Sequence, residues 1–295
     1  MAFRVVQSKQ NPRLKQLRRA LAHPLRDSGP EGHFLAGIEG PNLLDEALRA
    51  GLRVPCVFVA QGWEHLLEAY QLPPETEVLA LAKELLNDAL TTETPQPIAA
   101  LVEPPDWTWA HFLDSHRKTA SLVLVLAGLQ DPGNLGTILR SAEAFGADGV
   151  ISLPGTVSGW NPKAVRASAG SLFRLPMLTA SAEECFTHLR QANVRIWTTT
   201  VLAAEPADLV NLTGPIALLI GNEGNGVPEE VAARADGRLT IPCPGPVESL
   251  NASVAASVLL YEAARQRCVG RSGGSHRSQN ARWMGHPDSW NGGGQ

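Results

Sequence analysis

The sequence predicts an α/β protein of two domains, the second built on a mostly parallel sheet. Three observations carry this. The 295 residues exceed one small domain and suit two. Hydrophobic residues make up 44% of the chain and are mainly Leu, Ala and Val, with aromatics at only 5%; that mixture suits helices layered on a sheet better than an all-β sandwich. Short apolar runs alternate with helical periodicity along most of the chain.

The elements follow in order. Residues 11–21 read as a basic helix and 34–38 as a short strand. A helix over 41–50 opens with Pro41, which suits a first helical turn. Then come a strand over 56–59, a helix over 64–70, a strand over 77–80, a helix over 82–90 and a closing strand over 98–102. Residues 1–103 thus form the first domain. Two prolines in 103–106 mark a boundary, and 104–118 is a linker whose aromatic-rich stretch 107–116 reads as a connecting helix or bridge. The second domain covers 119–269, with strands over 122–127, 149–153, 195–199, 216–220 and 239–241 separated by helices. Residues 270–295 are Gly, Ser, Asn, Arg and His without periodicity and read as a disordered tail.

Charge and cysteine usage narrow the function. No apolar run reaches the roughly 18 residues of a membrane span, and the N-terminus lacks the apolar core of a secretory signal. Cys56, Cys185, Cys243 and Cys268 do not pair at metal or redox spacing, so they read as reduced thiols of a cytoplasmic protein without a metal site. The net charge is −4, but residues 1–26 carry Arg4, Lys9, Arg13, Lys15, Arg18, Arg19 and Arg26 with no Asp or Glu. Such an arm can neutralise phosphates; a solvated basic helix face is the plain alternative.

Three loops of the second domain stand out. The stretch 130–146 leaves a buried strand, turns at Asp-Pro-Gly-Asn and continues as a helix with Leu135, Ile138, Leu139, Ala142 and Phe145 on one face. Arg140 falls on the opposite side, and Gly136, one turn earlier, is expected to leave space beside it. The second loop, 218–227, runs from a strand into Gly221, Asn222, Glu223, Gly224, Asn225 and Gly226; glycines at that density permit positive φ and close approach of a ligand. Its spacing is not the dinucleotide fingerprint, which disfavours a Rossmann oxidoreductase. The third, 241–265, has a Pro-Gly-Pro turn and then a long helix starting near Leu250, with Ser249 and Asn251 straddling the start and Ser249 the ordinary candidate for N-cap. Taken singly, each loop is explained by turns and caps. Together, all three lie at carboxyl ends of strands, where open α/β sheets bind ligands.

The motifs N-x-G-x-x-x-R-S-A at 134–142, L-I-G-N-E-G-x-G at 219–226 and I-P-x-x-G-x-V-x-S-L-N-x-S-V-A at 241–255 resemble, in order and without gaps, the three signature motifs of the SpoU (TrmH-like) RNA 2′-O-ribose methyltransferases of the SPOUT superfamily. Residues 161–176 resemble that family's segment between the first two motifs. Ser8, Asn11, Leu17, Arg26, Phe34, Glu39 and Gly40 sit where its L30e-like substrate-binding domain places such residues, so the resemblance spans about 5–268.

The resemblance implies a deep trefoil knot in the second domain, S-adenosylmethionine as methyl donor, a ribose 2′-hydroxyl of RNA as acceptor, and a homodimer whose sites form between subunits. It places the adenosyl group among the loops holding Thr200, Gly221, Ile241 and Leu250. It makes Arg140 the catalytic arginine, either helping deprotonate the hydroxyl or stabilising the developing alkoxide; a free guanidinium has a pKa above about 12, which makes it a poor base. Asn134 would position the ribose, Glu223 would orient Arg140 or neighbouring backbone, and Ser249 and Asn251 would close the site. Lys9, Arg13, Lys15, Arg18, Arg19, Lys163 and Arg166 are the candidate phosphate contacts. The L30e-like domain points to ribosomal RNA, most directly 23S. A tRNA methyltransferase and a non-catalytic ribosome-assembly protein are the competing readings.

Overall fold

The computed structural model describes residues 3–26, 34–90, 92–113, 121–200, 204–246 and 249–271. The first half contains β1 (Arg4–Val6), α1 (Pro12–Ala22), β2 (Leu25–Arg26), β3 (Phe34–Glu39), α2 (Pro41–Arg49), β4 (Cys56–Ala60), β5 (Glu77–Leu81), α3 (Lys83–Asn87) and β6 (Ile98–Val102). Helix α1 starts where Asn11 caps it, its side chain accepting from the N–H groups of Arg13 and Leu14. The strands form a mixed sheet in the order β1-β5-β4-β6-β3-β2. Strand β4 shows how the layers arise. Cys56, Phe58 and Ala60 face the core under α1, while Val57 and Val59 face the core under α2.

The second half contains α4 (Trp109–Phe112), β7 (Leu122–Leu126), α5 (Pro132–Ala144), β8 (Gly149–Ser152), α6 (Pro162–Ser168), α7 (Ser171–Arg174), β9 (Met177–Thr179), α8 (Ala182–Gln191), β10 (Arg195–Thr199), β11 (Glu205–Pro206), β12 (Ile216–Ile220), α9 (Glu229–Ala232), β13 (Gly237–Thr240) and α10 (Ala252–Arg271). Every pairing in this sheet is parallel, in the order β11-β13-β10-β12-β7-β8-β9. Its central strands are apolar on both faces, as a sheet covered on both sides requires. Leu122, Leu124 and Leu126 face α5 and α10, and Val123 and Val125 face α8. Each such buried Leu or Val contributes roughly 1.5–3 kcal/mol of transfer free energy. The core under α5 is continuous with the core under α2, so the two sheets share one buried apolar layer.

The structure differs from the pattern at several points. Segment 64–70 is a 3-10 turn over Glu64–Ala69, the helix expected over 82–90 is five residues long, and that expected over 107–116 is Trp109–Phe112. The last strand begins earlier, at Gly237, which pairs with Trp197 of β10 and where a Cβ would overlap the Trp197 ring. Strands β1, β2, β9 and β11 carry no apolar run long enough to be read. Residues 114–118 of the expected linker and 272–295 of the expected tail lie outside the described residues. Among the described residues no helix is long and apolar enough to cross a membrane.

Candidate active site

The four adjacent strands β13, β10, β12 and β7 end on one edge of the sheet, and the three glycine-rich loops leave from there. The loop after β12 closes on itself. Asn222 and Gly226 exchange backbone hydrogen bonds of 2.9 Å. The Asn222 side chain accepts from the N–H of Gly224 at 2.8 Å and donates to the carbonyl of Gly128 at 2.8 Å, tying this loop to the one after β7. A Cβ on Gly221 would overlap the Gly226–Val227 peptide, so this glycine serves the loop's own closure. Of the three glycines, only Gly226 has positive φ, at 66°.

Helix α5 is capped by Asp131, whose Oδ1 accepts from the N–H of Gly133 and, at 3.0 Å, of Asn134. Lys163 at the start of α6 approaches Asp131 Oδ2 to 3.3 Å. The Asn134 and Gly133 amides and Lys163, acting against burial, hold the Asp131 carboxyl below its ordinary range. Helix α10 is capped by Asn251, which accepts from Ser253 N–H at 2.9 Å; Ser249, the expected cap, lies further back in the loop. The two helix caps meet through Glu223. Its Oε1 accepts from Asn134 Nδ2 at 2.9 Å and from the Asp131 N–H at 3.4 Å, and Asn134 Oδ1 accepts from Asn251 Nδ2 at 3.1 Å. Burial works against charge on Glu223, but hydrogen bonds from Asn134 and from the amides of Glu223, Gln130 and Asp131 outweigh it and lower its pKa. Asp131 and Asn222 were not expected as site residues. Their signal was the Asx chemistry of D-P-G-N and G-N-E-G turns.

Beside this network lies a cleft of about 650 Å³, within the range of small-molecule sites. Thr200, Gly221, Ile241 and Leu250, the expected cofactor contacts, all line it, as do Glu223 and Ser249. Ile241, Leu250 and Leu259 offer apolar surface for a flat heterocycle, and the ends of β10, β12 and β13 offer backbone donors and acceptors. Thr198 in the same wall has a buried hydroxyl with no partner among the described residues. The donor set therefore fits a nucleoside-bearing cofactor.

Arg140 is not among the residues that line this cleft. It lies six residues, about 9 Å of helix rise, beyond Asn134. Its side chain is exposed and makes no hydrogen bond or ion pair among the described residues. The space expected beside it at Gly136 does not exist. A Cβ on Gly136 would strike Ala167 and the backbone of Ala164 and Ser168, so that glycine lets α6 pack on α5. Thr137, Arg140 and Ala144 form an exposed stripe. It flanks α10, which α5 touches through a Ser141–Ser257 hydrogen bond of 2.7 Å and a Phe145–Tyr261 ring contact. Val254, Val258 and Tyr261 of α10 are 47%, 39% and 46% exposed.

The basic residues divide. Lys9 and Arg18 pair with Asp88 at 3.0 and 2.5 Å, and Arg13 pairs with Glu77 at 3.1 Å. Lys15 and Arg19, one turn apart on α1, and Arg166 on α6 are exposed, with no side-chain partner among the described residues.

Comparison with known proteins agrees with this architecture. The SpoU rRNA Methylase family matches residues 121–261, and the MRM3-like substrate binding domain matches 11–100. The chain is 32% identical over 260 residues to the 23S rRNA (guanosine(2553)-2′-O)-methyltransferase RlmP of Bacillus subtilis, covering 87% of this chain and 97% of that one. It is similar to the AdoMet-bound rRNA methyltransferase of Sinorhizobium meliloti (TM-score 0.75, 28% identity, 89% of this chain and 98% of the other). It is also similar to the SpoU methyltransferase AviRb of Streptomyces viridochromogenes in complex with AdoMet (TM-score 0.72, 29% identity, 88% and 99%). The second sheet thus carries the knotted SPOUT-type fold, and the chain belongs to the SpoU family of RNA methyltransferases.

Proposed function

We propose that this protein transfers a methyl group from S-adenosylmethionine to a ribose 2′-hydroxyl of 23S ribosomal RNA, acting as a homodimer in the cytoplasm. One observation carries the reading: the ends of β10, β12 and β13 enclose a nucleoside-sized cleft, and beside it Glu223 joins the caps of α5 and α10 through Asn134 and Asn251. The cofactor supplies an electrophilic methyl group on a sulfonium. Thr200, Gly221, Ile241 and Leu250 would hold its adenosyl part, and Ser249 would close the loop over it. Asn134, held at a fixed angle by Glu223 and Asn251, positions the ribose. The ribose oxygen would take the methyl group as the sulfonium S–CH3 bond breaks, leaving the thioether S-adenosylhomocysteine. The hydroxyl proton would pass to solvent, and the Arg140 guanidinium would stabilise the negative charge developing on the oxygen.

The placement of Arg140 supports the dimer. A cation unpaired among the described residues, on a helix that packs against α10 and its half-exposed apolar stripe, is what an interface brings to a neighbouring copy. The exposed cations Lys15, Arg19 and Arg166 would meet phosphates directly, and Lys9, Arg13, Arg18 and Lys163 would exchange their carboxylate partners for them. The chain divides into a substrate-binding domain over 1–103, a linker over 104–118, a methyltransferase domain over 119–269 and a tail over 270–295.

The test is methyl transfer from labelled cofactor to purified RNA, with the modified nucleotide mapped. Label in a 2′-O-methyl nucleotide of 23S RNA is expected. Label confined to tRNA would move the substrate class, and calorimetry showing no cofactor binding would favour a non-catalytic assembly protein.

A further inference from the structure

The contact between the two sheets is apolar over most of its described extent, and a charged device crosses it. Helix α7 is short and is preceded by two left-handed residues, Ala169 (φ 48°) and Gly170 (φ 88°). Those turns aim Arg174 between α2 of the first half and α5 of the second. Its Nε and Nη2 donate to the two carboxylate oxygens of Glu143 on α5, at 2.6 and 3.1 Å. Its Nη1 donates to Glu46 Oε2 on α2 at 2.5 Å. Gly170 belongs to the same device, because a Cβ there would lie 2.6 Å from that of Glu46. Only a planar guanidinium can take one carboxylate bidentately and a second one at the same time; an ammonium cannot.

Location gives this fork its meaning. Glu143 lies three residues after Arg140 on the same helix. Glu46 lies on the helix that follows β3 in the sheet that α1 covers, and α1 carries Lys15 and Arg19. The apolar layer that joins the halves, including Leu43, Ala47, Val165, Leu172 and Phe173, provides adhesion without direction. A bidentate pair fixes an angle. We infer that Arg174 is a positioning residue that sets the orientation of the substrate-binding half against α5, so that RNA gripped by the first half meets Arg140 in register. This rests on the function proposed above. Hydrogen bonding from Arg174 and Ser171 holds the Glu143 carboxyl below its ordinary range despite burial, consistent with a charged fork.

The experiment compares Arg174→Met, Arg174→Lys and Glu46→Gln with the wild-type full chain. Cofactor affinity is measured by calorimetry and methyl transfer by single-turnover and steady-state kinetics. Orientation is measured by spin-label distances between exposed Asn42 and Thr187, with Cys243 and Cys268 changed to Ser. Arg174→Met is expected to lower kcat on RNA by about tenfold or more, since a misplacement of about 1 Å can cost about 10²-fold. Cofactor affinity should stay within about twofold, and the distance distribution should broaden. Arg174→Lys should recover only part of the rate. Glu46→Gln should shift both readouts in the same direction, and it decides the matter if Arg174→Met does not fold. An unchanged kcat, or an unchanged distance distribution, overturns the inference. If the wild-type chain transfers no methyl group to RNA, the proposed function fails instead, and the distances alone still decide whether Arg174 sets the orientation.

Discussion

The two sides of α5 are built to opposite rules. At its N-terminal end, Asp131, Asn134 and Glu223 are joined to one another, to Lys163 and to Asn251. Six residues on, the Arg140 side chain is exposed and has no partner among the described residues. Folding alone explains the first side, since caps and loop ties satisfy helix-terminal groups that would otherwise be orphaned. It does not explain the second. An exposed cation with no hydrogen bond or ion pair among the described residues adds nothing that folding requires. The contrast separates site residues that the fold itself ties down from one that has no partner among the described residues, and on the proposed function that one finds its partners outside the chain.

That contrast can be broken or sharpened by substitution. The largest effect is expected at Arg140, where Arg140→Ala should lower the single-turnover methyl-transfer rate by about 10²–10³-fold while cofactor binding and thermal midpoint stay put. Next comes the apolar stripe. Val258→Glu should convert a dimer to a monomer in light scattering and leave less than about a tenth of the activity, because a charge would face a desolvated interface.

Glu223→Gln acts on the bonded side. Its hydrogen bonds are exposed, so stability should change by less than about 1 kcal/mol, while cofactor affinity weakens several-fold as the loops loosen. Its pH behaviour has a definite sign. The folded carboxyl titrates below its ordinary 4.5, so its stabilising contribution is fully present above that pH and is lost as pH falls through the lowered folded value. An acid-unfolding curve of Glu223→Gln should therefore differ from wild type above about pH 4.5 and converge with it below.

The smallest effect belongs to the arm. Lys15→Ala with Arg19→Ala should raise KM for RNA a few-fold and reduce the salt slope of binding by about two. Arg13→Ala, whose guanidinium is engaged by Glu77, should change it less.

Much of this was legible in the residues. The α5 stripe of Leu135, Ile138, Leu139 and Ala142 is buried, and the apolar runs of β7 and β12 lie where expected, because both depend on local periodicity. The three loops meet on one edge, as strands of one parallel sheet require. What escaped depended on contacts distant in sequence. Gly136 answers to Ala164 and Ala167 on α6. The cap of α10 is Asn251 rather than Ser249, and its amide also donates to Asn134, a partner far away in the sequence. The pairing of Lys9 and Arg18 with Asp88 joins residues 79 and 70 apart, which no local pattern records.

The most direct test of a site completed between two copies is a mixing experiment. Arg140→Ala lacks the bare cation, and Leu250→Arg blocks the cofactor cleft; each alone should be inactive. If Arg140 serves the partner's cleft, mixed dimers contain one intact site, and random exchange should restore about a quarter of the wild-type rate. A mixture that forms heterodimers, verified by native mass spectrometry, yet stays as inactive as its components would contradict the account.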